Sequence, residues 1–380
     1  MLFVLDKSLD AILDDELHPQ FNRLLEELSV LAKARRNKKL MVFLESDVFY
    51  ERLKLIASFN KSSLSVYSVL NRTRAFKSSL LKKLKNIIRI TASGGKVETR
   101  KINENIEIII PINMIPDNIF NSPILLAENI MDAKAYIIFA KIAAAANADN
   151  MAKVGLQGEL RGGGGSAIAV EYFEIKNKKE RLALCILDSD VRYPTCPPND
   201  WSQAIVNDDL KNPIPFIKSN TIEVYSIENL FPLSCLPNLS HYVSDLQAAH
   251  ALKNDLPILS KHASEEYWRY IRLKNGVSCS DFRDNAALGE YWLGNVEKFS
   301  NYSSKKCETL PGKCKHSCNK IPIYRSDTLK EFVAKYEETN DEELRELHSS
   351  IPYYILENFN ELAKLITAWM CCGTPMAISA

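Results

Sequence analysis

LALCILDSD, at residues 182–190, decides how this chain is read. Leu182 to Leu187 are apolar without a break, and Asp188-Ser189-Asp190 follows at once. A short apolar run bounded by polar turns reads as a strand buried on both faces, the kind found in parallel sheets. The polar stretch Lys176 to Lys179 bounds it upstream. A second run, Ile124-Leu125-Leu126-Ala127, ends in Glu128, and residues 129–149 are an Ala-rich helical stretch. Val154-Gly155-Leu156 reads as a short strand. Arg161 then leads into Gly162, Gly163, Gly164, Gly165 and Ser166, where a helix is expected to begin. Ile222 to Tyr225 reads as a further strand, and the Pro-, Asn- and Asp-rich stretch 192–215 as a long loop. The order β–α–β–α–β predicts a parallel sheet with crossover helices over residues 121–235.

Working outward, residues 1–120 read as a separate α/β domain. Leu9, Ile12, Leu13, Leu17, Phe21, Leu24, Leu25, Leu28 and Leu31 recur at helical spacing over 8–36. Residues 40–44 read as a buried strand, 47–58 as a helix and 106–112 as a strand. Ser93-Gly94-Gly95 forms a turn, and Pro111, Pro116 and Pro123 mark a boundary near residue 120. Residues 236–380 read as a mainly helical domain ending in an amphipathic helix from Ile355 to Met370, with a Cys-rich irregular stretch over 279–322.

The acidic residues carry the chemistry. Glu128 and the Asp188/Asp190 pair each stand where an apolar strand stops, and ligands of open parallel sheets bind beyond the carboxyl ends of the strands. If the two strands are neighbours, three carboxylates converge. A divalent cation relieves their repulsion, and carboxylate oxygens are the ligands Mg²⁺ and Mn²⁺ prefer. Asp132, four residues after Glu128, stands one helical turn on and could complete a second metal position. Two metals roughly 4 Å apart can stabilise both oxygens of a phosphodiester displacement. The plainer reading is that Asp132 is a helix cap and Asp-x-Asp a turn. The glycines leave the backbone free to approach a ligand, so residues 162–166 are the candidate phosphate-binding loop; a flexible linker is the alternative.

Charge is unevenly placed in a chain of net charge +1. The balance is +6 over 1–120, −3 over 121–235 and −2 over 236–380, an arrangement suited to a polyanion held at one end and processed centrally. From Arg72 to Arg89 no acidic residue occurs. Arg72, Arg74, Lys77, Lys82, Lys83 and Lys85 are the candidate nucleic-acid contacts; the alternative is a solvated helix face with Leu80, Leu81, Leu84, Ile87 and Ile88 as its apolar stripe.

ILLAENIMDAKAY, LRGGGGSAIAVEY, LALCILDSD and YSIENLFP, taken in this order, resemble the TOPRIM domain, above all that of OLD-family nucleases and of the stand-alone TOPRIM effectors of anti-phage systems such as PARIS. The likeness covers residues 120–235. It implies an α/β fold with a central TOPRIM-like parallel sheet, a metal site of Glu128, Asp132, Asp188 and Asp190, and Glu228 as a further ligand within the Glu228-Asn229 pair. It further implies a lysine near the scissile phosphate, for which Lys274 is the candidate and Lys261 the alternative. Asn129 departs from the glycine common after the first glutamate. No Walker A sequence occurs, so the ATPase of OLD nucleases would be a separate partner or absent. A homo-oligomer stays open.

Cys307, Cys314, His316 and Cys318, with Cys279 upstream, could hold a structural Zn²⁺, though not in the paired Cys-x2-Cys spacing; reduced cysteines in a basic loop are the alternative. Cys371-Cys372 read as core. Nine scattered cysteines and a start lacking a basic, long-apolar leader point to a cytoplasmic protein with reduced thiols. No apolar run reaches the ~18 residues of a membrane span. The rivals to a metal-dependent nuclease are a non-catalytic nucleic-acid-binding or sensing module, and a phosphatase or glycosyltransferase built on Asp-x-Asp. Arg192 stands where the phosphatase motif has Thr or Val, and neither enzyme rival explains Glu128.

Overall fold

A computed structural model describes residues 1–81, 83–102, 105–146, 154–235, 265–272, 286–296 and 328–373. Its first third is built on a mixed sheet of β1 (Leu2–Leu5), β2 (Met41–Leu44), β3 (Asn86–Thr91), β4 (Glu98–Ile102) and β5 (Asn105–Pro111), in the order β2-β1-β3-β5-β4. All neighbours are parallel except β4, which folds back antiparallel on β5. The strands β1 and β2 are fully buried, as continuous apolar runs between covering helices must be. Those helices are α1 (Asp10–Leu13), α2 (Phe21–Arg36), α3 (Phe49–Leu55), α4 (Lys61–Arg72) and α5 (Arg74–Leu81).

Two readings of this part change. The helix expected over 8–36 is interrupted after Leu13, because the residue before Pro19 is disfavoured in helical conformation. The basic stretch is not one helix either. α5 stops at Leu81, and Ile87 and Ile88 enter the middle of the sheet opposite Leu2 and Phe3. Ile87, Ile88 and Ile90 are β-branched and are covered by sheet neighbours, which favours a strand over a helix stripe.

The second sheet contains β6 (Ile124–Ala127), β8 (Glu159–Gly162), β9 (Ala183–Leu187) and β10 (Ile217–Thr221), all parallel, in the order β10-β9-β6-β8. The short strand β7 (Gly155–Leu156) lies outside this sheet. Crossovers are made by α6 (Ile130–Ala146), α7 (Ile168–Lys178) and α8 (Asp200–Lys211). Two further corrections arise here. The supposed loop 192–215 contains α8, started by Asn199, whose side chain accepts from the Ser202 N–H. The last strand is 217–221 rather than 222–225, and its half-exposed Lys218, Ser219, Asn220 and Thr221 suit an edge position that hydropathy does not mark.

The described part of the carboxyl-terminal third is helical: α9 (Ala286–Val296), α10 (Thr328–Tyr336), α11 (Asp341–Ser349) and α12 (Tyr353–Met370). α10, α11 and α12 pack on α6, where Phe139 meets Phe231, Phe332 and Phe359 with ring centroids 5.1–6.2 Å apart. α12 also touches β3 and β9, and the strand after it, β11 (Cys371–Cys372), pairs antiparallel with β7. Through α12 and β11, the described part of this third is packed against both sheets and β7. No helix of the described residues is long and apolar enough to cross a membrane.

Candidate functional site

β6 and β9 are hydrogen-bonded parallel neighbours, with Leu126 opposite Cys185, so Glu128 and Asp188 leave the same sheet edge side by side. Every further element of the site is fastened to that edge. Asp190 has a left-handed backbone, φ 56°, and its N–H donates to the Tyr225 carbonyl at 2.9 Å. The Ser189 hydroxyl donates to the Val224 carbonyl. From the other side Asn199 donates to the Asp188 carbonyl and to the Asp190 carboxylate, each at 3.0 Å, and the Ser202 hydroxyl donates to the Asp188 carbonyl at 2.9 Å. The start of α8 thus clamps the Asp-Ser-Asp turn.

Electrostatics shows what converges there. Burial, followed by Glu128, Asp132, Glu228 and Asp190, holds the Asp188 carboxyl well above the usual carboxylate range. Tyr136, buried one turn beyond Asp132 on α6, is pushed up by burial and then by Asp188, Asp132, Glu128 and Glu228. Asp188 and Tyr136 thus feel the same set of carboxylates. The sequence reading missed Tyr136, Asn199 and Ser202. The four-residue step from Asp132 to Tyr136 was the available signal for the first, and the Asn199-Asp200 cap pair for the second.

Several of these acids also serve local structure. Both Asp132 oxygens are held by Asn129, through its N–H at 2.9 Å and its side-chain amide at 2.8 Å, while the Asn129 side-chain oxygen accepts from the Met131 N–H. This is reciprocal capping of α6, and it accounts for an asparagine after Glu128. Glu228 is buried and accepts from the Ser226 hydroxyl at 2.7 Å. Among the described residues no three His, Cys, Asp or Glu side chains stand in a ready-made metal-holding set.

The glycine run is ordered, but its N–H groups are directed inward. Gly163 donates to the Ala127 carbonyl, and Gly164 and Gly165 donate to the Glu128 carbonyl at 2.9 and 3.2 Å. A Cβ on Gly162 would lie 2.7 Å from the Ile130 nitrogen, and one on Gly163 would lie 2.5 Å from Ile168. Gly164 and Gly165 adopt φ of 72° and 68°. The loop expected to cradle phosphate instead holds the backbone of Glu128 in this arrangement. Ser166 lies in a short 3-10 turn, Gly165–Ala167, and α7 begins at Ile168.

The candidate nucleic-acid contacts divide. Arg74 donates to the carbonyls of Leu44 and Glu45, and Lys85 pairs with Glu361, so both tie elements together. Arg89 is bound by Asp6, Glu45 and Glu107. Arg72 and Lys83 are exposed. The Lys77 side chain, Lys82, Lys261, Lys274 and the cluster Cys279, Cys307, Cys314, His316 and Cys318 lie outside the described residues. The described cysteines Cys185, Cys196, Cys235, Cys371 and Cys372 are free thiols, and Cys371 and Cys372 are buried as expected.

No family model, curated protein or solved structure matches this chain.

Proposed function

We propose that this protein is a divalent-metal-dependent nuclease that hydrolyses phosphodiester bonds of DNA or RNA at a TOPRIM-like site. The observation that carries the reading is the adjacency of β6 and β9, which sets Glu128 and Asp188 side by side at one sheet edge, with Asp190 two residues on; the raised Asp188 carboxyl agrees with it. The donor set suits Mg²⁺ or Mn²⁺, being all carboxylate, with Glu128, Asp188 and Asp190 as principal ligands, Glu228 beside them, and Asp132 once it turns from Asn129. A bound metal would neutralise the cluster, activate water and stabilise charge on the phosphate. Asn199 and Ser202 hold the Asp188 turn, and the glycine loop holds the Glu128 backbone, so both strand ends are fixed before substrate arrives. The resemblance further suggests an anti-phage effector in the cytoplasm, working with a separate ATPase.

The test is incubation of the purified protein with plasmid, single-stranded DNA and total tRNA, in Mg²⁺, Mn²⁺ and EDTA, beside Asp188→Asn and Glu128→Ala. Cleavage that needs metal and both acids is expected. Binding without cleavage in any metal would favour the non-catalytic module, a reading supported by the hold of Asn129 on Asp132. Hydrolysis of small phosphate esters unaffected by Glu128→Ala would favour the phosphatase.

A further inference from the structure

An all-acidic site repels the polyanion it is meant to cut, so a cation must stand beside it to meet the phosphate. The expected lysines fall outside the described residues, but a guanidinium is within view. Tyr225 joins two segments of the site: its carbonyl accepts from Asp190, and its N–H donates to the Arg269 carbonyl at 2.7 Å. The segment carrying Arg269 is fixed a second time by Asn229, whose amide donates to the carbonyls of Trp268 at 2.6 Å and Ile271 at 3.1 Å. Arg272, next in that segment, lies over the Tyr225 ring with its guanidinium carbon 5.9 Å from the centroid. Its Nε is buried with no hydrogen-bond partner. Neighbouring Arg269, by contrast, donates to the Tyr354 carbonyl and is taken up by structure.

We propose that Arg272, lying against the Tyr225 ring, is a phosphate-contacting residue that grips a non-bridging oxygen of the strand presented to Glu128, Asp188 and Asp190. This rests on the nuclease reading above. A guanidinium offers two parallel donors to a phosphate, and contact with an aromatic ring limits its freedom beforehand. Asn229 would then matter as the residue that sets the height of the Arg272 segment.

The test uses the full chain and a labelled single-stranded oligonucleotide. Initial rates with Mn²⁺ are measured over substrate concentration for wild type, Arg272→Ala and Arg272→Lys. Binding is measured by anisotropy in Ca²⁺ for the same substitutions in an Asp188→Asn background, over a range of salt. Arg272→Ala is expected to lower kcat/KM and affinity by roughly tenfold to a hundredfold, to reduce the salt slope by about one, and to regain rate on adding free guanidinium. Arg272→Lys, which keeps the charge and the stem, should recover part of the affinity and serves as the measure if the alanine variant unfolds. Wild-type cleavage with unchanged rate and binding in either variant overturns the arginine assignment and leaves the nuclease. Absence of wild-type cleavage, with binding still weakened by Arg272→Ala, overturns the nuclease and leaves the arginine contact. Unchanged binding with no cleavage overturns both.

Discussion

The backbone N–H of Gly164 donates a 2.9 Å hydrogen bond to the carbonyl oxygen of Glu128. Two parts of the chain 36 positions apart are thereby one structural unit, and the acid at the end of β6 owes its backbone placement to the turn after β8. Gly162→Ala should therefore damage the site without touching a carboxylate. Its methyl group meets the Ile130 and Asn129 backbone, which cannot move independently of Glu128. A loss of about 1–3 kcal/mol is expected by urea denaturation, with metal-dependent cleavage reduced further than stability alone explains. Gly164→Ala has open space for its methyl but a φ of 72°, so about 1–2 kcal/mol is expected from backbone strain alone.

Asp188→Asn removes an ionisable group whose charged form is opposed by burial and by four other acids. In EDTA the variant should be more stable than wild type, by about 0.5–2 kcal/mol, while losing cleavage. Mn²⁺ should raise the melting temperature of wild type and leave that of the variant nearly unchanged, since only a ligand bound by the folded state stabilises it. A variant less stable than wild type in EDTA would show that the acids do not crowd one another.

Asn199→Ala tests the clamp on the Asp-Ser-Asp turn. One side chain caps α8 and also donates to the Asp188 carbonyl and the Asp190 carboxylate. Loss of the cap is worth about 0.5–2 kcal/mol, and loss of the clamp should appear as a lower kcat at that modest cost in stability. Asn199→Asp keeps the capping oxygen but sets a second carboxylate against Asp190 and the Asp188 carbonyl, so it should restore the helix cap and neither the clamp nor the rate.

Asp209 holds together the far side of the same sheet. It accepts from Tyr172, from Lys176 at 2.6 Å, and from both the N–H and hydroxyl of Ser219, joining α7, α8 and β10. Lys176 is buried, and Asp208 also pairs with it at 2.8 Å. Asp209→Ala leaves several donors without their shared acceptor and should cost about 3–5 kcal/mol in chemical denaturation.

Glu159 gives the pH dependence. Hydrogen bonds from Arg181, and then Arg161, hold its carboxyl below the usual carboxylate range despite partial burial. The folded state therefore binds this proton less readily than the unfolded chain. Its contribution is full above the unfolded value of about 4.3 and fades as pH falls through the lower folded value. Glu159→Gln should narrow the stability gap to wild type between about pH 5 and pH 3, followed by thermal melts, and an NMR titration of Glu159 should place its midpoint below that of an exposed glutamate.

Much of the central sheet could be read from the string. ILLA and LALCIL admit few alternatives, because a short apolar run followed by an acid fits a buried parallel strand and little else. The strand β10 escaped because an edge strand needs only one apolar face, and α8 because its start is disguised by prolines. β3 was hidden by the lysines and arginines before it, whose charge belongs partly to ion pairs with Glu361, Asp6, Glu45 and Glu107.

The sequence by itself determined that Glu128 and Asp188 each end a buried strand, since local hydropathy and chain polarity suffice for that. Only the tertiary structure decided that β6 and β9 are adjacent, that the glycine N–H groups turn inward to Glu128, and that Arg272 lies over Tyr225 near Asp190. Those are pairings between segments distant along the chain, and they are selected by mutual burial and hydrogen-bond satisfaction, which no single stretch of residues encodes.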